Sequence, residues 1–216
     1  MARLKPDKRR TPSSRAWLAR QISDPYVARA KREGLRSRAA YKLAEIDDKF
    51  HLLRQGARVV DLGAAPGGWS EIAARRVGPK GRVIALDILD MKPLAGVEFV
   101  KLDFLDPAAP ERLKTLIGGK ADVVLSDMAA NATGHRQTDH LRIMALAEAA
   151  AALAHEVLAD GGTFLCKVLQ GGTEATLLSA LKRDFEAVKH VKPPASRADS
   201  AELYLLARGF RAAARA

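Results

Sequence analysis

Cys166 is the single cysteine among 216 residues, so neither an intramolecular disulfide nor a cysteine zinc site can form, and a reducing compartment is expected. No stretch approaches the roughly 18 uninterrupted apolar residues of a membrane span. The run AEAAAALAHEVL is short, alanine-rich and interrupted by acids. No apolar signal segment follows the start, which argues against secretion and for a cytoplasmic protein without a membrane partner. The five histidines are scattered without an H-x-x-x-H spacing, so no metal is expected. The chain also lacks a G-x-G-x-x-G fingerprint, a P-loop ending and any internal repeat.

Acids are scarce at the amino end. The chain carries 36 Lys and Arg against 25 Asp and Glu, a formal +11. Residues 1–40 hold 12 of the bases and only Asp7, Asp24 and Glu33, a net +9, which leaves +2 on the other 176 residues. Such segregation suits a polyanion-binding arm on a near-neutral body, because each base set against a phosphate releases condensed counterion. RNA or DNA is the expected partner. A solvated basic tail and an Arg-rich transit peptide are the other readings that charge alone leaves open.

Residues 1–12 are rich in Lys, Arg and Pro with no apolar period and read as a disordered tail. Trp17, Leu18 and Ile22, then Tyr26, Val27 and Ala30, then Tyr41, Leu43, Ala44, Ile46 and Phe50 recur at helical spacing, so residues 13–50 read as helices. Ser23-Asp24-Pro25 supplies a cap and a first-turn proline, and Gly34 can stop that helix before the next begins near Ser37. From residue 58 short apolar runs alternate with helical windows: ARVVDL, GRVIALDI, VEFVKLD, ADVVLSD, GTFLCKVL, a weaker EAVKHV, and ELYLLA. Helices are expected near residues 69–77, 107–117, 137–159 and 173–183. This alternation predicts an α/β domain over 13–208 with a mostly parallel sheet covered on both faces, and a tail over 209–216. The last two strands, joined by the Pro193-Pro194 loop, are expected to pair antiparallel.

The first strand ends in Asp61 and turns through Gly63, Ala65, Pro66, Gly67 and Gly68 into a helix opening with Trp69. In a doubly wound sheet this turn lies at the carboxyl edge, where ligands bind, and small residues allow close approach to the backbone. Pro66 removes an N–H that a pyrophosphate cradle would use, which weighs against a dinucleotide. An acid at the strand end instead suits a ligand with a positive group, such as S-adenosylmethionine. Asp87, ending the second strand about 20 residues beyond the loop, is placed to accept ribose hydroxyls. Asp103, ending the third, could accept from an adenine amino group. Each acid alone could equally be a cap or turn residue, and Asp90 reads as a loop acid. Lys167, inside the buried-looking strand FLCKVL, is costly unless paired or functional, and Asp127, closing VVLSD on the same edge, is a plausible partner.

From about residue 13 to 208 the chain resembles the FtsJ (RrmJ) family of ribosomal RNA large-subunit methyltransferases, the methyltransferase E group. The likeness is carried by SSRAWLARQISDPYVARAKREGLRSRAAYKL, VVDLGAAPGGWSE, LSDMAAN, FLCKVLQGG and SRADSAELYLLA. It leaves little sequence for a transit peptide. It implies a Rossmann-like S-adenosylmethionine-dependent fold with a seven-stranded sheet and a basic helical amino-terminal extension. It also implies an active centre of Lys42, Asp127, Lys167 and Glu202, with Asp127 bordering the cofactor as well, and methylation of a uridine 2′-hydroxyl in 23S rRNA of the 50S subunit by a monomer. The residues around Asp199 and the final GFRAAARA depart from the family pattern without touching these four. Lys42 and Glu202 owe their assignment to the resemblance alone.

An alcohol is a poor nucleophile until its proton leaves, and Lys167 is the candidate base. Burial and the Lys42 ammonium favour its losing a proton, while Asp127 and Glu202 oppose that. The carboxylates are therefore expected to orient the lysines and the ribose, and Lys167 could instead steer the oxygen while proton loss trails methyl transfer. Arg20, Arg32, Arg36 and Arg38 are the candidate phosphate contacts in the cleft border that the family places here; Trp17 and Tyr26 read as core. Phosphate contacts position RNA without choosing its sequence. Competing readings are a 2′-O-methyltransferase of transfer RNA or organellar rRNA, a non-catalytic rRNA-binding assembly factor and, more distantly, a dinucleotide oxidoreductase.

Overall fold

The computed structural model describes residues 23–130, 133–170 and 175–212. The tail over 1–12, the helical stretch 13–22 with Trp17 and Arg20, and residues 213–216 lie outside the described residues. Helix α1 spans Pro25–Glu33 and α2 Ala39–Phe50. They are followed by β1 (Arg58–Leu62), α3 (Gly68–Val77), β2 (Arg82–Asp87), β3 (Val97–Lys101), α4 (Ala109–Ile117) and β4 (Ala121–Ser126). Next come α5 (Arg136–Val157), β5 (Leu158–Leu169), α6 (Ala175–Asp184), β6 (Phe185–Val191) and β7 (Glu202–Phe210).

The caps form as the sequence suggests. Asp24 accepts from the Tyr26 N–H at 3.0 Å with Pro25 at the first helical position, and Gly34 ends α1 in the left-handed region at φ +70°. Tyr26 is a core-side residue: its hydroxyl donates to Glu45 at 3.0 Å and its ring lies 5.3 Å from that of Tyr41.

Seven strands form one sheet in the order β3-β2-β1-β4-β5-β7-β6. β1 to β5 are parallel and β7 runs antiparallel to both β5 and β6. The last two strands thus pair as expected, but β7 also inserts between β5 and β6. Its Tyr204-Leu205-Leu206-Ala207 core is buried on both faces and needs two neighbours. Glu186, Lys189 and His190 on β6 are exposed, which suits an edge.

Alternation sends Val59, Val83, Leu125, Leu165 and Leu206 to the face covered by α2 and α3. Val60, Ile84, Val124, Phe164 and Leu205 go to the face covered by α4, α5 and α6. Each such side chain removed from water contributes about 1.5–3 kcal/mol.

Three boundaries differ from expectation. β5 begins at Leu158, with a register shift opposite Ala121/Val123. β7 continues to Phe210, beyond the boundary drawn at 208, because Phe210 is buried with its ring 5.2 Å from Phe185. β3 stops at Lys101, so Asp103 lies past the strand rather than ending it.

Candidate active site

β1 delivers Asp61 into the interior and the chain then turns sharply. Gly63 and Gly67 take φ +75° and +105°. A Cβ on Gly63 would lie 2.5 Å from Met128 Cγ, and one on Gly67 would lie 2.9 Å from both Arg36 Cδ and Met91 Sδ. Gly68 is pressed in the same way by Ser37 Oγ. The protein's own packing therefore demands these glycines before any ligand does. Pro66, after a cis peptide bond, presents its carbonyl to Arg36.

The turn is held from below by Asp87, whose Oδ2 accepts from the Ala65 N–H and Oδ1 from the Leu89 N–H, each at 2.8 Å. Each oxygen keeps a further lone pair for a ribose hydroxyl. Asp103 is exposed, and its Oδ1 accepts from the Leu105 N–H at 3.0 Å, the ordinary work of a turn aspartate. Asp90 is a loop acid paired with Lys101 at 2.9 Å. Trp69 opens α3 beside this loop. Its buried indole donates to the Ala39 carbonyl at 2.9 Å and packs 5.5 Å from the Tyr204 ring.

Asp61 is the electrostatic centre of this half. Oδ2 accepts from Ser70 Oγ at 2.6 Å, while Oδ1 is buried without a hydrogen-bond partner among the described residues. Burial, reinforced by the negative charges of Asp127 and Asp87 and opposed by the Ser70 hydrogen bonds, pushes its carboxyl up to about 7. A buried acceptor with no donor is costly. A ligand carrying an ammonium or sulfonium would supply what the protein lacks, so the residues present fit S-adenosylmethionine.

One strand over, the structure brings Lys42, Asp127, Lys167 and Glu202 together. Lys167 Nζ lies 3.2 Å from Asp127 Oδ1 and donates to the Asp127 carbonyl at 2.7 Å. Lys42, reaching from α2, lies 3.2 Å from Glu202 Oε2. Both lysines are buried, and Glu202 keeps about a third of its side chain exposed (33%). Burial would raise the Asp127 carboxyl, but Lys167, Lys42 and a hydrogen bond from Tyr204 outweigh it and hold the group below the usual carboxylate range. Cys166, next to Lys167 but facing the other side of the sheet, is buried and pushed up to about 12, so it is inert.

Sequence reasoning missed Tyr204. It pairs with Lys167 across β5 and β7, donates its hydroxyl to Asp127 Oδ1 at 2.8 Å, and sets its ring 5.7 Å from Lys42 Nζ. The signal was available, since Glu202 and Tyr204 share a face of the strand by alternation.

Of the four arginines, Arg20 lies outside the described residues and Arg32 is exposed. Arg38 faces inward, with Nε 3.0 Å from Asp24 and Nη2 donating to the Ala195 carbonyl at 2.5 Å. Arg36 is committed to backbone carbonyls. The structure thus gives both guanidinium groups intramolecular partners. Among the described residues no group of His, Cys, Asp and Glu is placed to hold a metal ion, and no helix is long and apolar enough to cross a membrane.

A parallel sheet with a reversed seventh strand, a tight loop at its switch point and paired lysines and acids beside it define a Rossmann-like enzyme of the methyltransferase class. The family description FtsJ-like methyltransferase matches residues 35–210. A Xanthobacter autotrophicus protein named ribosomal RNA large subunit methyltransferase E is 63% identical over 97% of this chain and 84% of its own. A crystal structure described as a ribosomal RNA methyltransferase from Plasmodium falciparum superposes with a TM-score of 0.74 at 30% identity, covering 81% of this chain and 98% of that one. A Streptococcus mutans methyltransferase solved with S-adenosylhomocysteine shares the fold at a TM-score of 0.50 and 10% identity, covering 80% of this chain and 96% of its own. The chain belongs to the FtsJ-like methyltransferase family.

Proposed function

We propose that this enzyme methylates the 2′-hydroxyl of a uridine ribose in 23S rRNA of the large ribosomal subunit, acting as a cytoplasmic monomer on the 50S particle. The observation that carries the reading is the convergence of Lys42, Asp127, Lys167 and Glu202 into two ion pairs at 3.2 Å, beside a loop whose buried acid has no cationic partner among the described residues. The name carried by the 63% identical relative supports rRNA as the substrate. When bound, S-adenosylmethionine supplies the sulfonium methyl group and leaves as S-adenosylhomocysteine.

Asp61 holds the positive end of that molecule, Asp87 its ribose hydroxyls, and the second carboxylate oxygen of Asp103 is available to the adenine amino group. Lys167 Nζ has three hydrogen positions as an ammonium, and Asp127 accepts two of them, through its carbonyl and Oδ1. The third position is directed to the substrate oxygen. There Lys167 would orient the 2′-hydroxyl toward the methyl group and accept the proton it loses. Lys42 and Glu202 brace the pair, and Tyr204, held protonated by burial and the neighbouring carboxylates, fixes Asp127. General-base transfer contributes about 10²–10⁴ in rate, whereas alignment of nucleophile and methyl supplies roughly 7–11 kcal/mol, so positioning dominates. Exposed bases of the amino-terminal segment, Arg32 among them, supply phosphate contacts.

The test is transfer of labelled methyl from S-adenosylmethionine, with 50S subunits, deproteinised rRNA and transfer RNA offered side by side. Label on a ribose 2′-oxygen in subunits is expected. Label on transfer RNA alone would move the substrate, and no label on any RNA despite tight cofactor binding would favour an assembly factor.

A further inference from the structure

Arg36 sits in the short segment between α1 and α2, where the basic amino-terminal region meets the sheet. Its Nη1 donates to the Lys92 carbonyl at 2.6 Å and to the Pro66 carbonyl at 3.4 Å, and Nη2 donates to the Pro93 carbonyl. Its main-chain N–H donates to Glu71 Oε2 at 3.0 Å, which ties the same residue to the first turn of α3. Its Cδ packs so closely on Gly67 that a Cβ there would come within 2.9 Å. Arg36 therefore touches three separate pieces of the pocket wall: the Pro66-Gly67 turn, the segment after Asp87, and the head of α3.

Asp87 joins the first two of these at their base, accepting from Ala65 and Leu89. Arg36 joins them again at their far end, closing a ring of hydrogen bonds around the loop. A planar fork with several fixed donors serves carbonyls from two loops in one set geometry, which a lysine ammonium on a flexible stem does not impose.

We infer that Arg36 is a positioning residue for the cofactor pocket: it fixes the spacing between the Pro66 turn and the Lys92-Pro93 segment and makes the amino-terminal segment part of the pocket's frame. This rests on the reading of the Asp61–Trp69 loop as the S-adenosylmethionine site. It also separates Arg36 from the phosphate-contact role that its charge and place in the sequence suggest. An arginine serving phosphate is replaced well by lysine, whereas one bridging two loops is not.

The experiment measures, on the full-length protein, S-adenosylmethionine binding by calorimetry, in vitro transcribed large-subunit rRNA binding across a salt series, and methyl-transfer kinetics. Wild type is compared with Arg36→Lys and Arg36→Gln, and thermal melting verifies that both variants fold. The expected result is a rise of about tenfold in the cofactor Kd and KM for both variants, with kcat near wild type. RNA affinity and the slope of log affinity against log salt stay at the wild-type values. Unchanged cofactor binding in the variants overturns the inference. If RNA affinity falls and the salt slope shrinks by about one only in Arg36→Gln, Arg36 is a phosphate contact instead. Failure of the wild type itself to bind S-adenosylmethionine would remove the pocket reading and this inference with it, an outcome visible before any variant is compared.

Discussion

Asp61, buried, and Asp127, partly buried, are carboxylates at the ends of adjacent parallel strands, yet they are provided for in opposite ways. Among the described residues Asp61 has a serine on one oxygen, no donor on the other, and acids as its charged neighbours. Asp127 has Lys167 and Tyr204 on its carboxylate and feels Lys42 beyond. On the proposed reading, the catalytic half of the edge is neutralised by the chain itself, while the cofactor half is short of a cation among the described residues. Low dielectric magnifies that difference, because an unpaired buried charge is the expensive case and a paired one is nearly balanced. The division also separates labour: one half is completed by what binds, the other is assembled in advance and can orient a substrate without reorganising.

Breaking the assembled half has the largest expected effect. Lys167→Ala removes the group aimed at the substrate oxygen and should lower turnover by about 10³ or more in single-turnover kinetics. Lys167→Met, which keeps the volume, should behave alike. The next largest effect falls on the open half. Asp61→Asn still accepts from Ser70 but offers no charge, so the Kd for S-adenosylmethionine should rise roughly 10- to 100-fold by calorimetry.

The two acids also differ in the sign of their pH dependence. With the Asp61 carboxyl raised to about 7 in the folded protein, the native state binds more protons than the unfolded chain between about pH 4 and 7, so stability falls as pH rises through that window. The cost, on the order of 4 kcal/mol, is fully present above about pH 7. In urea titrations without ligand, Asp61→Asn should therefore gain on wild type from pH 4 to pH 7 and then hold a constant lead. Asp127, held low, contributes stability above the unfolded carboxylate value that is lost as pH falls through its folded value. Asp127→Asn should accordingly lose most at neutral pH.

Smaller effects sharpen the picture. Tyr204→Phe deletes one hydrogen bond to Asp127 and should cost about 1 kcal/mol in urea melts, with a several-fold fall in kcat and no change in cofactor affinity. Arg32→Ala should weaken RNA binding only a few-fold and reduce the salt slope by about one, leaving cofactor binding unchanged.

The fold was largely legible because its signals are local. Strand runs, the Asp24-Pro25 start, the Gly34 stop and the antiparallel last pair depend on patterns a few residues long. The insertion of β7 beside β5 was not legible, since it depends on which of two strands has two apolar faces and which must lie at an edge. In the site, strand-end acids and the buried Lys167 announced themselves by position, whereas Lys42 and Glu202, ordinary on a helix and at a strand start, needed the family resemblance. Less legible were the surroundings of Asp103 and Trp69: the aspartate lies two residues past the strand it was expected to end, and the indole at the helix start packs inward. The intramolecular partners of Arg36 and Arg38 were not legible, because charge in a sequence carries no direction. Their backbone-carbonyl partners lie 30 or more residues away along the chain, at Pro66, Lys92, Pro93 and Ala195.

The most direct test of the divided edge is calorimetric titration of S-adenosylmethionine into Lys167→Ala and Asp61→Asn side by side. Wild-type affinity in the first, in a protein that transfers no methyl, and strongly weakened binding in the second are expected. Loss of binding in Lys167→Ala, or wild-type binding in Asp61→Asn, would contradict the assignment of the two halves.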